Sequence, residues 1–241
     1  MAEEAKVFDF KGGEILVFDK PLEWTSFDLV QKVRNNLCRK MRIKKLKVGH
    51  AGTLDPMATG IMVLCTGKAT KKIEELQAGE KEYIATLKLG ATTPSFDLET
   101  KEDATFDTGH ITEELFRETV QKFIGTIEQV PPEYSAVKVE GQRAYDLARK
   151  GKSVELKPKI LVVKEIEVLQ FAESEAKLRI VCGKGTYIRA LARDIGQALN
   201  SGAYLIGLQR TRVGDFTLEN AQQIEEFLES LKDMTIAEEA K

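Results

Sequence analysis

The sequence predicts an α+β fold, a mixed and mostly antiparallel sheet flanked by helices and loops, on three observations. Residues 82–89 alternate with period two, placing Tyr83, Ala85, Leu87 and Leu89 on one strand face. Val30, Val33 and Leu37 recur at helical spacing behind Thr25 or Ser26, either of which suits an N-cap. Strand and helix patterns then interleave without a uniform β-α-β repeat, so a mixed sheet is expected.

In chain order, a short apolar strand at 14–18 closes on Asp19-Lys20-Pro21 and precedes the helix begun at Thr25 or Ser26. A basic run then leads through Val48 into a glycine-punctuated loop, GHAGTLDP, and a buried strand at 61–65. Residues 68–77 suit a short helix, and 112–124 a longer one with Thr112 as N-cap and acids in its first turn. Pro131-Pro132 ends a strand and opens a basic excursion to about residue 158, in which 143–150 reads as a helix stopped by Gly151. Strands at 160–171 and 177–182 suit a hairpin. Gly183-Lys184-Gly185 launches a helix over 187–199 capped by Thr186, and a strand at 204–213 and an acidic helix at 220–231 complete the chain. A single domain over 12–231, between tails at 1–11 and 232–241, is the simplest organisation.

The net charge of -2 argues against a uniformly basic protein, but the charge is segregated. Residues 29–54 hold eight basic side chains and no acid, residues 138–164 eight against three, and residues 177–214 seven against one. Acidic blocks at 97–118 and 215–241, each eight acids against two bases, restore the balance. Any one basic run reads as a solvated face; three such runs flanking or containing glycine-rich motifs point to a polyanion. Three widely spaced cysteines and two histidines support neither a disulfide framework nor a metal centre. The acidic N-terminus and short apolar runs predict a soluble, cytoplasmic protein with no membrane span.

Asp55 is the candidate reactive carboxylate. Two glycines precede it, and Pro56 biases it toward extended backbone, which suits a nucleophile or general base as well as an ordinary turn. Arg189 opens a helix beside Tyr187; it either keeps Asp55 ionised or pairs with a surface acid. Tyr83 is either a core aromatic or a platform for a nucleobase. The phosphate-binding Gly-x-x-x-x-Gly-Lys-Ser/Thr loop is absent from the sequence, so nucleotide hydrolysis is unsupported.

Six motifs occur in order: Lys20-Pro21 with Trp24-Thr25-Ser26, GHAGTLDPMATG at 49–60, Lys81-Glu82-Tyr83, VPPEYSAV at 130–137, GKGTYIRAL at 183–191, and Leu208-Gln209-Arg210-Thr211. Together they resemble the TruB family of tRNA pseudouridine synthases over about residues 12–231. That resemblance implies the pseudouridine synthase fold. It also implies Asp55 as catalytic aspartate, Arg189 as its salt-bridge partner and Tyr83 as the ring stacked on the target uracil. His50 would lie near the flipped base, with Gly52 and Thr53 beside it in the same loop at the RNA. Leu208 would line the pocket, and Lys20 and Tyr187 would support it. The implied reaction isomerises the T-loop uridine at tRNA position 55 and needs no cofactor or metal. The implied partner is the tRNA T arm, bound by a monomer that requires no protein partner, with residues 131–158 as an RNA-clamping loop. Against the longer relatives the expectation is a catalytic domain without a further C-terminal RNA-binding domain of the PUA type, and Thr100 stands where relatives often have glycine. An RNA chaperone that opens the tRNA elbow is a second expectation, and could coexist with catalysis. An N-glycosidase is weaker because no second carboxylate belongs to a motif.

Overall fold

The computed structural model describes residues 7–237 apart from 136, 140 and 152–154. Parts of the expected tails and of the 131–158 clamp therefore lie outside the described residues. The chain packs as two compact units, Met1–Gly79 with Gln209–Lys241, and Glu80–Leu208.

In the first unit the strand Ile15–Lys20 pairs antiparallel with Ala58–Thr66, whose last residues also pair antiparallel with the short strand Val48–His50. Val17, Ala51, Ile61, Val63 and Val213 form a buried cluster there. The helix Ser26–Lys40 buries Leu29, Val30, Val33 and Leu37 as its spacing predicts. Thr25 is its N-cap, in a capping box with Asp28 that satisfies backbone N–H groups at the helix start. The helix Ile224–Asp233 begins later than the 220 expected, because Gln222 joins the Ile15–Lys20 strand as a parallel bridge to Phe18. Phe227 then meets Phe18 edge-on at 5.2 Å.

In the second unit Lys81–Leu89 pairs antiparallel with Glu175–Cys182, which pairs with Lys159–Phe171, which pairs with Gly125–Gln129. The alternation read from residues 82–89 is present: Lys81, Tyr83, Ala85, Leu87 and Leu89 are buried and the residues between them are not. The helices Glu113–Gln121 and Ile188–Ala198 supply Phe116, Val120, Leu191 and Ile195 to the core. Thr112 caps the first of these by accepting from the Leu115 N–H. At the second, the N-cap is Tyr187 rather than Thr186 and has no side-chain cap. The Thr186 hydroxyl instead donates back to the Gly183 carbonyl at 3.2 Å. The carboxamide of buried Gln129 brackets Tyr187, accepting from its N–H at 2.9 Å and donating to its C=O at 3.2 Å. Thr100 closes its turn as glycine does not: its hydroxyl accepts from the Ser95 N–H at 3.0 Å, and its own N–H donates to Ser95 Oγ at 3.2 Å.

Candidate active site

Asp55 is half-buried in the loop between Val48–His50 and Ala58–Thr66, and several backbone groups around it are bonded. The Ala51 N–H donates to the Val63 carbonyl at 2.8 Å. One hydroxyl, Ser26 Oγ, accepts from the Leu54 N–H at 2.8 Å and donates to the Leu54 carbonyl at 2.9 Å. The Asp55 carbonyl accepts from the Ala58 N–H at 3.1 Å, and the Pro56 carbonyl from the Glu23 N–H at 2.8 Å. Glu23 reaches that position with φ 67°, a left-handed backbone uncommon outside glycine. Arg210, 1% exposed, spans the loop. Its Nη2 donates to the Gly52 carbonyl at 3.1 Å, Nη1 to Thr53 at 3.3 Å and Nε to Ile61 at 2.9 Å. Gly60 has φ 104°, and a Cβ there would lie 2.2 Å from the Arg210 carbonyl oxygen, so the approach requires glycine.

The electrostatics of this unit are set by buried cations. Lys20 is fully buried, with Nζ donating to the Pro21 and Trp24 carbonyls, each at 2.7 Å. Burial lowers its pKa from 10.5 to about 8; Asp55 pulls the other way and Arg210 adds to the lowering. Burial likewise pushes the His50 imidazole below its ordinary value, the Gly52 backbone opposing and the Arg210 guanidinium assisting. Among the described residues, the buried Nδ1 of His50 meets no hydrogen-bond partner. A neutral imidazole is therefore the form this site favours. Lys20, His50, Gly52, Thr53 and Asp55 are thus brought together within the first unit.

Tyr83, Tyr187, Arg189 and Leu208 belong to the second unit. Tyr83 is 8% exposed in its strand, opposite Ile180 in the antiparallel register. Arg189 is 3% exposed, and its Nη1 and Nη2 donate to the Ser95 carbonyl at 3.0 Å and the Tyr134 carbonyl at 2.9 Å. Its Nε lies 3.5 Å from the carboxylate of buried Asp97. Arg189 therefore ties the 93–100 turn to the Pro131-Pro132 motif as well as carrying charge. Leu208 is half-buried in Ala203–Val213. Within the basic excursion, the Arg143 and Arg149 guanidinium groups lie 5.7 and 5.6 Å from the Tyr145 ring centroid. Arg149 also pairs with Glu99 at 2.6 Å, at the exposed surface.

Sequence reasoning assigned no role to Arg210 or Gln129, and took Ser26 only as a candidate helix cap beside Thr25, missing its bonds to Leu54. Arg210 and Ser26 stand inside motifs, which is the only sequence signal of their use; their bonds to carbonyls far along the chain leave no local pattern. Among the described residues no group of three or more His, Cys, Asp or Glu side chains is arranged to hold a metal ion. None of the described helices is long and apolar enough to cross a membrane.

Comparison with known proteins accords with this arrangement. Residues 39–188 match the TruB family pseudouridylate synthase (N terminal domain), and residues 189–240 match the tRNA pseudouridylate synthase B C-terminal domain. The chain is 65% identical to tRNA pseudouridine synthase B of Phocaeicola vulgatus, over 95% of this chain and 98% of that protein. It is 51% identical to the Flavobacterium johnsoniae protein of the same name, over 93% of this chain and 98% of that one. Among solved structures, a Cbf5-Nop10-Gar1 complex aligns with TM-score 0.68 and 26% identity over 94% of this chain and 61% of that chain. An H/ACA RNP bound to a substrate RNA containing 2'-deoxyuridine aligns with TM-score 0.65 and 26% identity over 91% of this chain and 53% of that chain. The chain thus spans only about half to three fifths of those two structures. With a family match over more than half of its residues and full-length relatives of high identity, this chain belongs to the TruB family of pseudouridine synthases.

Proposed function

We propose that this protein isomerises a uridine of tRNA to pseudouridine, at position 55 of the T loop, with Asp55 as the catalytic carboxylate. The observation that supports this most is the pinned loop around Asp55, in a chain matching proteins named tRNA pseudouridine synthase B over almost their whole length. Such a loop presents a carboxylate in one geometry, and preorganisation of that kind lowers the barrier of a positioned reaction.

The chemistry matches the small set of groups. The bond between uracil N1 and the ribose C1′ breaks and a bond from C5 to C1′ forms. A proton leaves C5 and one is gained at N1, so atoms and electrons balance without an oxidant, reductant or activated donor. Extruding the uridine costs a few kcal/mol of stacking, which stacking on Tyr83 and cation contacts to phosphates offset. In this reading Arg189 is the salt-bridge partner of Asp55, His50 packs neutral beside the flipped base, and Leu208 lines its pocket. Gly52 and Thr53 bring loop backbone to the RNA. Lys20 and Tyr187 support the walls, and the basic excursion grips the T arm of tRNA bound to a monomer.

The test is pseudouridine formation on an unmodified T-arm hairpin by the wild type and by Asp55→Asn. Loss of turnover with retained binding is expected; normal turnover by the variant would remove Asp55 from the mechanism. A tRNA-folding role would survive the same substitution, so the variant separates the two activities.

A further inference from the structure

Arg210 is the largest of the fully buried side chains, and its guanidinium partners among the described residues are three backbone carbonyls. A buried cation without a carboxylate is a poor way to fill a core, since an apolar side chain of similar volume avoids the desolvation. What the guanidinium supplies is shape: a planar fork whose donors point in fixed directions. That fork holds Gly52 and Thr53 on the strand-entry side of Asp55 and Ile61 on the exit side. Gly60 completes the fit from the other direction, because only its missing Cβ lets the Arg210 backbone pass.

We propose that Arg210 is a positioning residue for the isomerisation, fixing the Asp55 loop through the carbonyls of Gly52, Thr53 and Ile61. The proposal rests on the reading of Asp55 as the catalytic carboxylate. It assigns Arg210 no contact with the substrate, so its effect falls on the chemical step and not on RNA binding. Because geometry and not charge is the requirement, lysine does not replace it.

Single-turnover pseudouridine formation at saturating enzyme, the Kd for an unmodified tRNA transcript and a thermal melt test this on the wild type, Asp55→Asn, Arg210→Lys and Arg210→Met. Both Arg210 variants are expected to keep a cooperative melting transition at a lowered midpoint, with the protein still folded at the assay temperature, and a Kd within about twofold, while the rate constant falls about 10²-fold, the scale of a displacement of about 1 Å at a reacting group. Arg210→Lys at the wild-type rate beside an inactive Asp55→Asn overturns the proposal. A rate that falls only with the folded fraction, or with weaker RNA binding, does the same. If Arg210→Met does not fold, Arg210→Lys decides alone; failure of both to fold makes Arg210 a stability residue and overturns the proposal. Normal turnover by Asp55→Asn is a separate result, since it removes the reading on which positioning rests.

Discussion

The loop around Asp55 and the basic segment from 137 to 151 differ in what their side chains bond to. Around Asp55 the anchors are buried and made to backbone: Ser26 to Leu54, Arg210 to Gly52, Thr53 and Ile61. In the basic segment the backbone is tied by bonds such as the Ala144 N–H to the Val137 carbonyl at 2.7 Å, while the bonds of its basic side chains are exposed and made to other side chains: Arg149 to Glu99, with Arg143 and Arg149 beside Tyr145. Buried bonds to backbone are costly to leave unmade, whereas an exposed ion pair contributes at most about 1 kcal/mol. The difference suits a division of labour in which one region sets the reacting geometry and the other keeps its cations available to phosphate.

The largest expected effect is on the first region's backbone. Gly60→Ala combines a left-handed φ with overlap against Arg210, so chemical denaturation should show a loss of about 3 kcal/mol. Lys20 gives a pH signature. Its folded pKa, about 8, lies below its ordinary 10.5, so the unfolded state binds more protons between those values and stability rises with pH there. Relative to Lys20→Met, the wild type should gain stability from pH 8 upward with a slope no steeper than about 1.4 kcal/mol per pH unit, measured by denaturation at several pH values. Ser26→Ala leaves the Leu54 N–H and C=O without their partner and should cost about 1–2 kcal/mol by the same measurement. Smallest on stability is Arg149→Ala, within about 1 kcal/mol. It should instead weaken tRNA binding a few-fold and reduce the salt dependence of Kd by about one phosphate contact, read from titrations at graded ionic strength.

Local pattern carried much of the fold. The period-two burial of residues 81–89 and the Val30, Val33, Leu37 face follow directly from spacing that any single strand or helix shows. The Thr112 cap was equally local. What failed was local chemistry overruled from a distance: Gln129 brackets Tyr187 from 58 positions away, so Thr186 is not the cap. Gln222, likewise, is taken into a bridge with Phe18 before the last helix can start. At the site, the motif glycines and Asp55 were legible because they lie together in the chain. Arg210 was legible only as a letter in a motif, since its partners lie about 150 positions earlier.

The most direct test of this division compares Ser26→Ala with Arg149→Ala, measuring for each the single-turnover rate at saturating enzyme and the Kd for tRNA. A crossed result is expected: the loop variant slows the chemical step with Kd unchanged, and the basic-segment variant raises Kd with the saturated rate unchanged. The reverse pattern, or equal changes in both quantities for both variants, would contradict it.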